Sequence, residues 1–466
     1  MNIAAEADSL QALLDDLRKK HGVPGASLGV LVDGEVKTAV SGVTNVDTQV
    51  PVTTDTLFQI GSATKSFTAT LIMQLVDEGK LGLDQQVADV IPDLHFGPDE
   101  DGRTATVREL LAHTTGMVGD EFGNFPESDD WGRGDEAVER YVATCGSLPR
   151  LAPRGEVFSY ANAGYIVLGR VIEILREKSF ARALHDHLLI PLGCRHSGAL
   201  TEEIIMHAVA VGHTPDPLDL KSVVLAPVWA LPYAYAPAGS QLSCSASDVL
   251  KFARFHLDEG VAEDGTRLLS QESALAMREA QIDLPQLAPG FLSGWGLGFF
   301  TYTWGGSSGF GHNGDTLGQH CEFRMFPEKN IAFVLQGNGG LGLIPFAEEV
   351  TREVLGDLAG IAVPKLEPKP VEQDLNRIVG RYETPVVLIE AKAEGDQLLV
   401  SVTPQGSAAK LSTIPPLDSV ALEPLQEGSF QLELMGITTP ITFFDFDEND
   451  RARYVHLGAR VVPRVA

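Results

Sequence analysis

Cysteine and positive charge are the two things this sequence has little of. Its four cysteines, Cys145, Cys194, Cys244 and Cys321, lie far apart among 466 residues and share no metal-ligand spacing. They are expected to be buried free thiols. Lysine and arginine number 35 against 63 aspartates and glutamates, a formal net charge of -28. A chain this acidic repels phosphate backbones and anionic membranes, which argues against nucleic acid as a partner. No apolar run reaches the length of a membrane span, so no membrane is expected either. The opening residues Met-Asn-Ile-Ala-Ala-Glu-Ala-Asp carry no basic region and no long apolar region, so no signal peptide is visible and a cytoplasmic location is expected.

Metal and cofactor chemistry lack support as well. His185 and His187 flank Asp186 in a helical pattern, where residues two apart point in different directions. The pairs Gly305-Gly306 and Gly339-Gly340 do not form a phosphate-loop pattern.

The residues that are present describe an ordinary globular protein, with 44% hydrophobic and 21% charged residues, and a length that calls for two domains. Leu10, Leu13, Leu14 and Leu17 give residues 8–21 a helical period, which Pro24-Gly25 ends. Strand-like runs at 26–32 and 35–41 flank Asp33-Gly34, a hairpin signal. A long mixed region follows, then a strand pair at 321–326 and 331–336 and a helix over 343–358. Strands at both ends of this segment with a helical insert between them indicate one α/β (α+β) sheet built from both ends, over residues 1–361. Residues 362–373 hold three prolines and mixed charge and read as a stiff linker. Residues 374–466 alternate short apolar runs with turn residues, an all-β pattern fitting a small barrel or sandwich.

Three short motifs carry chemistry. Ser62 and Lys65 sit at the start of an apolar helix, one turn apart and so on one face. A serine hydroxyl needs a base to become a nucleophile, and a lysine is such a base when burial or nearby positive charge lowers its pKa. In isolation this spacing is common, and a helix cap beside a surface lysine would produce it too. Tyr160 and Asn162 follow, in a turn before another apolar helix. A tyrosine near a lysine can shuttle protons, and the asparagine can bind a substrate amide or orient Lys65; a packing tyrosine and a capping asparagine are the structural alternative. The third is Gly311-His312-Asn313-Gly314-Asp315, before a stretch, 316–326, expected to contribute an edge strand. Gly314 lets a substrate approach the backbone, the N–H groups of Ser62 and Asp315 can hold an oxyanion, and His312 can bind a carboxylate or carbonyl.

The order Ser-x-x-Lys, Tyr-x-Asn, His-x-Gly resembles that of the serine β-lactamase and penicillin-binding-protein superfamily, in its class C β-lactamase, D-aminopeptidase and esterase branch. The stretches 110–116, 190–193, 237–240 and 245–248 resemble that branch too, so the resemblance covers roughly 8–360. It implies a β-lactamase-like antiparallel sheet flanked by helices with a large helical subdomain. The tail resembles an appended lipocalin-like barrel. By the same resemblance Ser62 carries the acyl group, Lys65 and Tyr160 manage protons, Asn162 positions substrate or Lys65, and no cofactor is required. Ser245 with Asp248 reads as a helix capping box.

One departure bears on the substrate. Class C β-lactamases resemble this chain but carry lysine where His312 stands. A histidine, with an ordinary pKa of about 6.5, is mostly neutral at pH 7 and holds a carboxylate weakly. Esters, amides or D-amino-acyl compounds are therefore expected ahead of penicillins. An acyltransferase using the same acyl-enzyme and a non-catalytic ligand-binding receptor are the alternatives. The partner expected is a small ester, amide or short peptide, and a homo-oligomer is compatible with the sequence.

Overall fold

The computed structural model describes residues 7–32, 34–97, 100–118, 131–284, 290–406, 409, 416–434 and 437–465. The apolar period near the start forms helix α1, Ala7–His21. Two antiparallel strands follow, β1 (Gly25–Val32) and β2 (Glu35–Gly42), with Val32 opposite Glu35. Gly34 turns the chain at φ +82°, and Asp33, the other residue of the expected hairpin turn, lies outside the described residues.

The chain returns to this sheet much later. Its remaining strands are β3 (Ile282–Asp283), β4 (Gly294–Trp295), β5 (Phe300–Trp304), β6 (Ser307–Thr316), β7 (Gln319–Phe326) and β8 (Ile331–Gly337). The order across the sheet is β2-β1-β8-β7-β6-β5-β4-β3, all antiparallel. The sheet is thus assembled from both ends of the segment, as the pattern of runs indicated.

The stretch expected at an edge is central instead, since β7 lies between β8 and β6. Its alternation explains the misreading. Cys321, Phe323 and Met325 face the larger core, while Glu322 and Arg324 look like solvent positions in the sequence. Both are buried: Arg324 donates to Glu322 at 2.8 Å, and Thr351 donates to the same carboxylate. A buried charge needs such a partner.

Helices cover both faces. On one, α1 and the helix Leu343–Ala359 pack Leu10, Leu14, Phe346 and Val350 against Val30, Phe333 and Leu335. On the other lies a helical region that includes α2 (Thr64–Asp77), α3 (Asn162–Arg176) and α4 (Ala246–Leu257). Phe67 of α2 stacks on Phe252 of α4 with ring centroids 3.7 Å apart. Burial of such side chains is worth about 1.5–3 kcal/mol each. Ser245 caps α4 by accepting from Asp248 N, but the other half of the capping box is not made: the Asp248 carboxylate accepts from His196 N at 2.6 Å and Ser197 Oγ at 2.9 Å. All four cysteines are buried free thiols.

Residues 362–373 run without helix or strand. Eight further strands then follow in sequence and pair with their neighbours: β9 (Gly380–Thr384), β10 (Val387–Glu394), β11 (Gln397–Pro404), β12 (Leu417–Gln426), β13 (Ser429–Leu434), β14 (Ile437–Phe446), β15 (Ala452–Leu457) and β16 (Arg460–Pro463). The first meets the last, Tyr382 bridging Arg464 while Val465 N donates to Arg381 O at 2.8 Å. The result is a nearly closed barrel with its own core, including Tyr382, Ile389, Val400, Phe430 and Phe443. A small apolar contact joins it to the rest, with Tyr454 and Val461 against Ala152 and Val157.

Candidate active site

A single turn of 3-10 helix, Gly61–Ala63, delivers the chain into α2 and places Ser62 just ahead of the helix. Lys65 is fully buried, and its Nζ lies 3.1 Å from Ser62 Oγ and donates to the Ala238 carbonyl at 2.6 Å. Burial pushes its pKa well below the ordinary lysine value, and the nearby Arg460 cation lowers it further. The carbonyl that holds Lys65 belongs to the turn Tyr233–Ala238, which Thr68 of α2 also binds by donating to Pro237 O at 2.7 Å. Gly239 leaves this turn at φ +126°, where an added Cβ would stand 2.2 Å from Gly61 O. Only glycine fits so close to the serine turn.

The second motif lies against this pair. Lys65 Nζ is 4.8 Å from the centre of the Tyr160 ring, and Asn162 is the buried first residue of α3. Burial raises the Tyr160 pKa; the neighbouring Ser62 hydroxyl opposes this, and Asp315 adds to it. Tyr160 is therefore a neutral phenol at rest. His113 packs on it at 4.3 Å between ring centroids and accepts a hydrogen bond from Ala161 N at 3.0 Å. Its Nδ1 therefore carries no proton, and burial together with Lys65 keeps its pKa well below the usual value.

The third motif lies in β6, where β5 pairs only as far as Gly311, so the half from His312 onward is open on that side. A Cβ on Gly314 would stand 2.6 Å from Ser62 N and 1.9 Å from Ile60 O. Asp315 accepts from His320 at 2.8 Å through its side chain. Ser62, Lys65, Tyr160, Asn162, His312, Gly314 and Asp315 thus belong to the three segments that converge on this turn.

His312, expected to bind a carboxylate or carbonyl, is buried in β6. Its Nδ1 faces the Asn313 carbonyl oxygen, which can only accept, so Nδ1 carries the hydrogen. The ring is buried, and that burial chiefly holds its pKa down to about 3. The neutral ring therefore presents Nε2 as a lone pair, and this atom has no partner among the described residues. It can receive a hydrogen bond but cannot donate one to an anion.

Three further contributors were not identified from the sequence. His113 and the Ala238-Gly239 turn lay in stretches noted only for their resemblance. Arg460, at the start of β16, reaches in from the barrel with its guanidinium carbon 5.2 Å from the centre of the Tyr160 ring. Beside Tyr160 and Arg460 a cavity of about 200 Å³ opens between the two parts of the chain, with Val118, Leu151, Val387, Leu457 and Val462 in its walls. No helix among the described residues is long and apolar enough to cross a membrane, and no group of metal ligands occurs among them.

A buried lysine against a serine, with a tyrosine and a glycine-lined turn around them, on a helix-flanked antiparallel sheet, defines a serine-hydrolase class of fold. The beta-lactamase family model matches residues 10–351, and the chain belongs to that family. It is 41% identical over 385 residues to penicillin-binding protein 4 of Amycolatopsis lactamdurans, a match that spans 80% of this chain and 96% of that one. Among solved structures it is similar to SurE, solved alone and with D-Leu, at TM-scores of 0.76 and 0.75 and identities of 27% and 28%, over 99% of this chain and 100% of that one. It is also similar to a D-amino acid amidase of Ochrobactrum anthropi SV3, at a TM-score of 0.58 and 25% identity, over 74% of this chain and 99% of the amidase.

Proposed function

We propose that this protein is an acyl-enzyme hydrolase with Ser62 as nucleophile, acting on small amides or short peptides that carry a D-amino-acyl group, and on simple esters. The observation that carries this reading is the 3.1 Å approach of a fully buried lysine, its pKa lowered, to the serine hydroxyl. Neutral Lys65 takes the Ser62 proton as Oγ attacks the acyl carbon, with Tyr160 passing protons between Lys65 and the leaving group. The bond to the leaving amine or alcohol breaks as that group is protonated, leaving an ester on Ser62. Water then adds, its proton goes to the same base, and the acid departs as Ser62 Oγ is reprotonated. The N–H groups of Ser62 and Asp315 would hold the oxyanion in both steps.

The amide preference draws on the His312 lone pair. An Nε2 acceptor suits a substrate N–H or free amine and offers no cation to a β-lactam carboxylate. The similar structures, a D-amino acid amidase and SurE with D-Leu, support the stereochemical class. The apolar cavity beside Tyr160 suits an apolar side chain. An amine entering in place of water would give acyl transfer from the same intermediate.

Matched D- and L-aminoacyl p-nitroanilides, p-nitrophenyl esters and a penicillin test this reading. Turnover of D-aminoacyl amides and esters above the L series and the penicillin is expected. Faster turnover of the penicillin would contradict it.

A further inference from the structure

We propose that Arg460, carried by the C-terminal barrel, is a positioning residue of the catalytic site, holding Lys65 in its proton-accepting form from across Tyr160. The inference rests on the reading of Lys65 as the base for Ser62.

The barrel does more than touch this site, because its last hairpin is bonded to the second motif residue by residue. His456 Nε2 donates to Phe158 O at 2.8 Å, Val461 N donates to Ser159 Oγ at 3.3 Å, and Tyr160 N donates to Ala459 O at 3.0 Å. Ala459 reaches this contact at φ +67° in the turn between β15 and β16. The hairpin therefore fixes the height of Tyr160 and delivers the next residue, Arg460, beside it. Arg460 Nη1 donates to Gly458 O at 2.7 Å, which holds the side chain against its own turn. Lys65 Nζ and the Arg460 guanidinium carbon then lie 4.8 Å and 5.2 Å from the centre of one tyrosine ring.

The charges around Lys65 give this placement its consequence. Among the described residues, the titratable groups that face it include His113, Tyr160 and Tyr165, His312 with Asp315, and Arg460. Burial keeps both histidines neutral and both tyrosines protonated. The Asp315 side chain is 63% exposed and engages His320. Arg460, although its pKa is drawn down to about 10 by burial, stays cationic at neutral pH. Lys65 and the Tyr160 ring are buried, so the Arg460 cation is felt at Nζ and an ammonium on Lys65 is disfavoured. The β-lactamase-like part supplies the nucleophile and the base, and the barrel supplies the charge that keeps the base ready.

The test is the rate at which a fluorophosphonate labels Ser62 as a function of pH, measured on the full chain. This readout reports activation of the nucleophile and needs no natural substrate. Arg460→Gln and Arg460→Met should move the acid limb of the profile upward by about one pH unit, a loss of about tenfold at a fixed pH below the limb. Arg460→Lys should keep the limb near the wild-type position. If the Gln and Met variants label more slowly at every pH with the limb unmoved, Arg460 is only structural and the proposal fails. A defect confined to substrates with a free carboxylate, with the limb unmoved, would make Arg460 a substrate anchor and also overturn it. Absence of wild-type labelling would overturn the nucleophile reading itself, and this role with it.

Discussion

Ser62 and Gly314 meet backbone to backbone across the turn ahead of α2, with no room between them for a side chain: a Cβ on Gly314 would stand 2.6 Å from Ser62 N and 1.9 Å from Ile60 O. The obstruction is main chain, so the neighbour cannot rotate away. Gly314→Ala should displace β6 from the serine turn and spoil the pair of N–H groups from Ser62 and Asp315. Loss of one oxyanion donor costs about 100-fold or more in rate. Steady-state turnover of an ester substrate checks this, and a wild-type rate in the alanine variant would show that β6 does not hold the oxyanion.

Tyr160 is a neutral phenol beside Lys65, so its hydroxyl is the atom at stake. Tyr160→Phe keeps the ring beside Lys65 and Arg460 and removes only that hydroxyl. A loss of about 100-fold or more in kcat is expected for a proton-transfer group. A loss of only a few-fold would leave proton transfer to Lys65 alone.

Much of this fold was legible in the sequence because local period decides it. The leucines of α1, the flanked Asp33-Gly34 turn and the apolar run of β8 each announce their element. The position of β7 in the sheet was not legible, since the partners that bury Glu322 and Arg324 come from other elements, Thr351 among them. The barrel was read only in part. Strand β9 shows one large inward residue, Tyr382, among polar neighbours, and β12 carries Asp418 and Pro424, so neither reads as a strand. Ser62 and Lys65 were legible because the helix that aligns them is local. Arg460 was not, because its place beside Tyr160 is set by a hairpin docking onto a distant part of the chain. His312 was read as neutral from its ordinary pKa, and the ring is neutral for a reason the sequence does not carry, its burial.

Buried neutral histidines make the fold sensitive to acid. His256 and His312 are held down to about 3 and His456 to about 4, mainly by burial, and His113 is also held well below the ordinary value. Unfolded, each takes up a proton near pH 6.5. Between these limits the unfolded chain binds more protons, so stability is present above about pH 6.5 and is lost as pH falls toward 4. Glu173, pushed up to about 7 by burial, acts with the opposite sign in the same window, and four imidazoles outweigh it. Thermal melting should show a falling Tm from pH 7 to pH 4.5. A flat profile would mean that these rings find other partners on protonation.

The most direct test of the central claim is intact mass after incubation with a fluorophosphonate, on wild type and on Ser62→Ala, with p-nitrophenyl ester turnover measured alongside. The account predicts a single adduct on wild type, none on a folded Ser62→Ala variant, and turnover that disappears with the adduct. Full turnover in Ser62→Ala, or an adduct that remains in that variant, would contradict it.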